Sequence, residues 1–206
     1  EKVGADVHEI AKIIGLDGRI GKKFLHPSPG FGGSCFPKDL RAILSMAKEH
    51  NAELKILNAV NEVNEARKVE MTRRIKTTLG DLSNKKLGIL GLTFKPNTDD
   101  MREAPSLSII PELQEAGATI KAYDPEGHHE AQKLLSDVHY CQDAYEAAEG
   151  SDALIVLTEW NEFRALDLKR LKDILAAPVL FDFRNIFNPP EANQLGFKYQ
   201  SLGRNV

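Results

Sequence analysis

The sequence predicts an α/β fold: a helical region over residues 1–80, then a parallel sheet covered by helices on both faces over residues 81–206. Three observations carry this. Apolar residues recur at helical spacing through the first part. From Lys86 on they gather in short β-rich runs that alternate with helical stretches. Between the two lies GDLSNKK, residues 80–86, a cluster of turn-forming residues.

The opening run EKVGADVHEIAKIIG sets Val3, Val7, Ile10, Ala11 and Ile14 on one helical face with no capping residue ahead of it. It reads as a helix already under way, and so predicts that the chain is part of a longer protein. Gly15 is expected to stop this helix in a left-handed conformation. Residues 16–34, LDGRIGKKFLHPSPGFGGS, hold too much Gly and Pro for regular structure. A second helix is expected to open with Pro37 at its first position, where the missing N–H costs nothing, and to continue through Leu40, Ile43, Leu44 and Ala47. The third helix runs from Lys55 to Leu79 on a stripe of Ile56, Val60, Val63, Met71, Ile75 and Leu79. Polar residues around Asn64 and Arg67 interrupt the stripe, and Gly80 ends it.

The runs LGILGLTF, ATIKAYD, VHY, DALIVLT and PVLFDF predict five strands, with helices between them at about 105–116, 127–135, 143–149 and 163–175. This alternation is that of a Rossmann-like, doubly wound sheet, whose ligands bind beyond the carboxyl ends of the strands.

Charge excludes some functions. The 206 residues carry 27 Lys and Arg against 30 Asp and Glu, a net charge of -3, too weak a field to argue for nucleic acid or a membrane surface. No apolar run of about 18 residues and no signal-peptide pattern appears. Cys35 and Cys141 are too few for a disulfide framework, so a reducing cytoplasm is expected.

The segment PGFGGSCFPKDL, residues 29–40, carries the most chemistry. Pro37 marks a helix start, so the N–H groups of residues 35–39 should include those left unpaired at the positive end of the helix dipole. A thiol placed there is biased toward thiolate, and Lys38 adds a full positive charge. Gly32 and Gly33 remove side chains, which lets a ligand approach the backbone. Such a thiolate suits attack on an aldehyde or acyl carbon, with Asp39 close enough to act as a base or to orient water. A small buried thiol that happens to precede a helix is the competing reading. No histidine signature of a papain type accompanies Cys35, and no metal site is expected: Cys141 lies far off, and His128 and His129 are adjacent.

A second constellation is LGILGLTFKPNTDDMREAPS, residues 87–106. Gly88 and Gly91 echo a dinucleotide fingerprint but lack its third glycine. Asp124, at the end of the next strand, fits a ribose-binding acid or a turn residue before Pro125. Lys95 and Arg102, beside a strand end and a helix start, form a candidate phosphate site, against a merely solvated charged loop. Arg184 in DFRN reaches the same edge of the sheet.

Together, GFGGSCFPKD and GLTFKPNTDDMREAPS resemble the NAD-dependent nucleotide-sugar dehydrogenases over nearly the whole chain, closest to the branch acting on UDP-glucose. The resemblance implies a four-electron oxidation of the sugar C6 alcohol to a carboxylate, through a thiohemiacetal and a thioester on cysteine, with UDP-glucuronate released. It implies Cys35 as nucleophile and Asp39 as the residue that helps activate water. Arg19, Phe24, Leu25, Ser28, Phe31, Gly32, Phe94, Lys95 and Arg184 would contact the substrate, Arg19 reaching that of the partner subunit. Lys38 and Arg102 would contact the NAD cofactor. The helical region would be the dimerisation layer of a homodimer. The family's NAD-binding domain, and a catalytic Lys and Asn, would precede Glu1, so this chain alone is expected to be inactive while keeping weak affinity for the uridine nucleotide. Relatives acting on GDP-mannose or UDP-N-acetylmannosamine share the architecture. A non-catalytic nucleotide-binding or dimerising module, with Cys35 as a redox-sensitive or structural thiol, is the alternative from another class.

Overall fold

The computed structural model of the chain describes residues 1–204. Three helices come first: α1 (Val7–Ile14), α2 (Phe36–Glu49) and α3 (Lys55–Leu79). The first is not a helix under way. Gly4 sits at φ 76, and the Asp6 carboxylate accepts the main-chain N–H groups of His8 and Glu9 at 2.7 and 3.3 Å, a complete N-cap. Gly15 corrects a second expectation, because its φ of -68 is right-handed. Space explains that glycine better than conformation does: a Cβ would lie 3.2 Å from the Lys22 main chain. In α2 the cap is Cys35 and Phe36 is the first helical residue, so Pro37 stands one position later than expected.

The bounds of α3 are those expected, but only the carboxyl-terminal part of its apolar stripe is buried. Asn64, Lys68, Met71, Thr72 and Ile75 face inward, while Ile56 and Val63 are 79 % and 60 % exposed. Only the carboxyl-terminal half of α3 rests on the core of the sheet. Fully burying Met71 and Ile75 there stabilises the contact by roughly 1.5–3 kcal/mol each. Further toward its start, the helix faces the loop that precedes α2, whose backbone needs polar partners.

The sheet has strands β1 (Lys86–Leu90), β2 (Thr119–Tyr123), β3 (Val138–Tyr140), β4 (Ala153–Val156), β5 (Val179–Asp182) and β6 (Lys198–Ser201), all parallel, in the order β3-β2-β1-β4-β5-β6. This is the doubly wound arrangement, with its reversal between β1 and β4. The connecting helices are α4 (Ser106–Glu115), α5 (His128–Gln132), α6 (Ala144–Ala148), α7 (Asn161–Arg164), α8 (Leu168–Ile174) and α9 (Pro189–Gln194). Two features depart from expectation. The helix over 163–175 is two helices, parted where the Asp167 carboxylate caps the Arg170 N–H at 3.1 Å. α9 and β6 were not anticipated; in KYQS, on an edge strand, exposed Lys198 and half-buried Gln200 alternate with buried Tyr199 and Ser201.

Side chains alternate between the two faces. Leu87, Ile89, Ile155 and Phe181 pack with Ile109 and Leu113 of α4 and with Met71 and Ile75 of α3. Leu154, Val156 and Leu180 pack with Ala147 of α6, Phe163 of α7 and Leu171 of α8. Such two-sided burial makes the strands read as nearly continuous apolar runs. Among the described residues, no helix is long and apolar enough to cross a membrane.

Candidate active site

Cys35 is exposed at the amino end of α2, its Sγ 3.6 Å from Ser34 Oγ. The two glycines before it explain where the thiol is held. Gly33, at φ 88, donates its N–H to Arg102 O at 2.8 Å, and a Cβ on Gly32 would lie 2.3 Å from Glu103 O and 3.0 Å from Phe94 Cβ. The pair lets the thiol loop dock on the loop that follows β1, a closer reason for two glycines than ligand approach. Arg41 of α2 adds an ion pair to Glu103 at 2.7 Å. On the other side the Asn64 side chain accepts the Phe31 N–H at 2.7 Å and donates to Phe31 O at 3.2 Å, and the Phe31 ring stands edge-on to Phe36 at 4.7 Å.

Arg102 is exposed and forks onto Asp100, at 2.9 Å from Nε and 2.8 Å from Nη2. These bonds and the Asp100 charge push the guanidinium above its usual range. The same contact holds the Asp100 carboxyl below the usual range. Lys38 and Asp39 form an exposed pair at 3.3 Å. Asp39 donates its own N–H to Cys35 O at 2.8 Å, closing the first turn, so that N–H is not one of the unpaired groups expected around the thiol. Lys95 Nζ lies 5.2 Å from the centroid of the Phe94 ring.

A second group of residues surrounds a cavity of about 530 Å³ between α1, the segment around Leu25 and the ends of β4 and β5. Lys12, Lys22, Arg164 and Arg184 give it a cationic lining, with Glu159 opposed. Arg184 is 12 % exposed and binds Glu159 at 2.6 Å, while its Nε is buried without a hydrogen-bond partner among the described residues. Burial and the nearby Arg204 charge push His8, on the same wall, below the usual imidazole value. Leu25 and Arg184 thus line one cavity. Ser28 lies beyond the cavity and accepts the Gly30 N–H at 3.2 Å. Phe24 and Arg19 are not brought in: Phe24 is 96 % exposed at φ 62, and the exposed Arg19 side chain is paired with Asp17 at 2.6 Å.

Asp124 is resolved in favour of the turn. Its buried carboxylate accepts from the N–H groups of Leu92, Thr93, Glu126 and Gly127, the Thr93 hydroxyl and the Trp160 indole, at 2.7–3.2 Å. It therefore occupies the main-chain donors that would otherwise receive a pyrophosphate after β1. Elsewhere His139, Cys141 and Glu146 bring their ligand atoms within 4.8 Å of one another. Burial, then the Glu146 charge, pushes the Cys141 thiol up to about 11, and its Sγ bonds to His139 O at 3.7 Å.

Two family models match the chain. The UDP-glucose/GDP-mannose dehydrogenase family central domain matches residues 1–66, and the UDP binding domain of the same family matches residues 88–189. The chain belongs to this family. It is 50 % identical over 205 residues to the UDP-glucose 6-dehydrogenase of Rhizobium meliloti (strain 1021), and 46 % identical over 205 residues to UDP-glucose 6-dehydrogenase TuaD of Bacillus subtilis (strain 168). Those alignments take in 99 % of this chain but 47 % and 44 % of the relatives, so the chain spans about half the length of the curated relatives it matches. The structure of a UDP-glucose dehydrogenase from the hyperthermophilic archaeon Pyrobaculum islandicum superposes with a TM-score of 0.87 at 31 % identity, over all of this chain and 45 % of that one. In the family's terms, the thiol loop lies in the central-domain match, while Phe94, Lys95, Arg102 and Arg184 lie in the UDP-binding match. The docking of Gly32 and Gly33 joins the two. Asn64, Glu103 and Glu159 were not among the expected site residues. The polar break in the stripe of α3 was the one sequence signal for Asn64.

Proposed function

We propose that the chain is the catalytic-cysteine and nucleotide-sugar part of an NAD-dependent UDP-glucose 6-dehydrogenase, with residues 1–80 as the central dimerisation region and 81–206 as the UDP-sugar domain. One observation carries the reading: Gly33 N–H on Arg102 O, with Gly32 pressed on Glu103, sets an exposed thiol at the carboxyl edge of the sheet, where wound sheets bind ligands.

The resident residues have these roles. Arg184 and the cationic lining around Leu25 receive the UDP portion, and Phe31, Gly32, Phe94 and Lys95 border the path from there to Cys35. Phe24 would join this path, and Arg19 would serve the partner subunit. Once a first hydride and a proton have left the C6 alcohol, Cys35 Sγ adds to the resulting aldehyde carbon, forming a C–S bond while the carbonyl oxygen takes a proton. After oxidation of that adduct to a thioester, water adds at C6, the C–S bond breaks, and the thiolate leaves with UDP-glucuronate as product. Asp39, four residues on and on the same side of α2, takes the proton of that water. NAD would supply the hydride acceptor when bound, and the exposed cations Lys38, three residues on from Cys35, and Arg102, whose main chain holds Gly33, would suit its approach. The donors after β1 do not fit it, since Asp124 fills them. Exposed Ile10, Ile14, Ile43, Met46, Ile56 and Val63 support pairing of two copies through the helical region, and two free thiols suit a reducing cytoplasm.

Calorimetric titration of the chain with UDP-glucose and UDP tests the substrate site, with GDP-mannose as the control for the base. Binding of both uridine nucleotides, weakened about tenfold or more by Arg184→Ala, is expected. A folded chain that binds neither overturns the reading. In the full-length protein, Cys35→Ala is expected to abolish UDP-glucuronate formation.

A further inference from the structure

We propose that Asn64 is a positioning residue for the thiol loop: its side-chain amide clamps the main chain of Phe31 and thereby fixes the segment that carries Gly32 to Cys35. The proposal rests on the reading of Cys35 as nucleophile given above.

Asn64 stands in the interior of the 25-residue α3 and is 5 % exposed. A buried amide is unfavourable in such a place unless both of its ends are bonded. Both are, and both to one residue: Oδ1 accepts the Phe31 N–H at 2.7 Å and Nδ2 donates to Phe31 O at 3.2 Å. The side chain does for Phe31 what a neighbouring strand would do, in a loop with no strand beside it. Gly30 permits the approach. It sits at φ 142, and a Cβ there would lie 3.0 Å from Asn64 Oδ1. The amide is itself oriented, because Nδ2 lies 3.4 Å from Glu65 Oε1, and Glu65 is held by the buried Lys68 at 2.9 Å.

The second anchor is Gly33, two residues on, through its N–H to Arg102 O. Phe31 is thus tied to α3 and Gly33 to the loop after β1. Two fixed peptide groups so close together leave the next two residues, Ser34 and Cys35, little choice of direction. Without Asn64 the segment from Phe31 to Cys35 keeps one main-chain anchor, the Gly33 N–H on Arg102 O.

The test uses the 206-residue chain with Asn64→Ala and Asn64→Asp. Amide hydrogen exchange is read by mass spectrometry over residues 29–35, with residues 86–90 of β1 as internal reference, alongside UDP-glucose affinity. Asn64→Ala is expected to speed exchange over 29–35 about tenfold or more and to weaken UDP-glucose by about tenfold, with β1 unchanged. Asn64→Asp keeps the acceptor for the Phe31 N–H but sets a carboxylate against Phe31 O, so it is expected to lie between the two. Unchanged protection of 29–35 in Asn64→Ala overturns the proposal. So does a loss of protection that extends equally into β1, the mark of a merely structural role. If the unsubstituted chain binds no UDP-glucose, it is the reading of the substrate site that fails, and exchange over 29–35 still decides the role of Asn64.

Discussion

Replacing Gly32 by alanine perturbs the docking that places the thiol. The added Cβ would lie 2.3 Å from Glu103 O and 2.9 Å from Glu103 C, against 3.4 Å for the start of ordinary contact. Both obstructing atoms are main chain, and Glu103 is already at φ 55, so neither can step aside as a flexible side chain would. The thiol loop must retreat by about 1 Å, stretching or breaking the 2.8 Å bond from Gly33 N–H to Arg102 O. Overpacking of this kind costs ~1–3 kcal/mol. In a chain of this length, that lowers Tm by roughly 2–12 °C. The consequence for chemistry is larger, since a displacement of about 1 Å at a reacting group is worth ~100-fold in rate. Differential scanning calorimetry reads the first effect, UDP-glucose titration shows whether the substrate site is disturbed, and turnover of the full-length enzyme reads the second. A Gly32→Ala chain with Tm and UDP-glucose affinity both unchanged would show that the loop does not dock on Glu103, and would refute the placement of the thiol at the sheet edge.

Three further outcomes are expected. With Ellman's reagent near neutral pH, the native chain should release one fast equivalent from the exposed Cys35 and a second only on unfolding, because burial holds the Cys141 thiol up at about 11; two fast equivalents contradict this. Tyr199→Phe deletes the hydroxyl that donates to the fully buried Asp182 carboxylate at 2.7 Å, a bond worth about 1.5–3 kcal/mol in urea unfolding, and a loss below ~0.5 kcal/mol would mean Asp182 is satisfied without it. The Arg73 guanidinium, with Arg74 behind it, holds the Glu70 carboxyl down at about 2. A depressed folded value means the stabilisation is present above the ordinary carboxylate range and is lost as pH falls from ~4.5 toward ~2. Wild type should therefore lose more Tm than Glu70→Gln between about pH 5 and pH 3, and equal losses would exclude the contribution of this pair.

The wound sheet was legible because its strands are buried on both faces, so β1, β4 and β5 appear as apolar runs whatever packs on them. β6 escaped because an edge strand alternates with polar residues, as KYQS does. The helix start at Cys35 was legible for a similar reason, since a proline close behind a glycine pair is a local signal. The inward face of α3 was legible at Met71 and Ile75 but not in its amino-terminal half. Periodicity assigns apolar residues to the inside, and here Asn64 faces in while Ile56 and Val63 face out, because what covers that stretch of the helix is the backbone of a loop.

By itself, then, the sequence determined the class of fold and pointed to the family, both of which depend on residues within a few positions of one another. Only the tertiary structure decided what the glycines of the thiol segment are for, that Asp124 is a structural carboxylate, and that Asn64 holds Phe31. Those contacts join residues 31 to 71 positions apart. Most of their partners are main-chain atoms, which every residue possesses and no side-chain pattern announces.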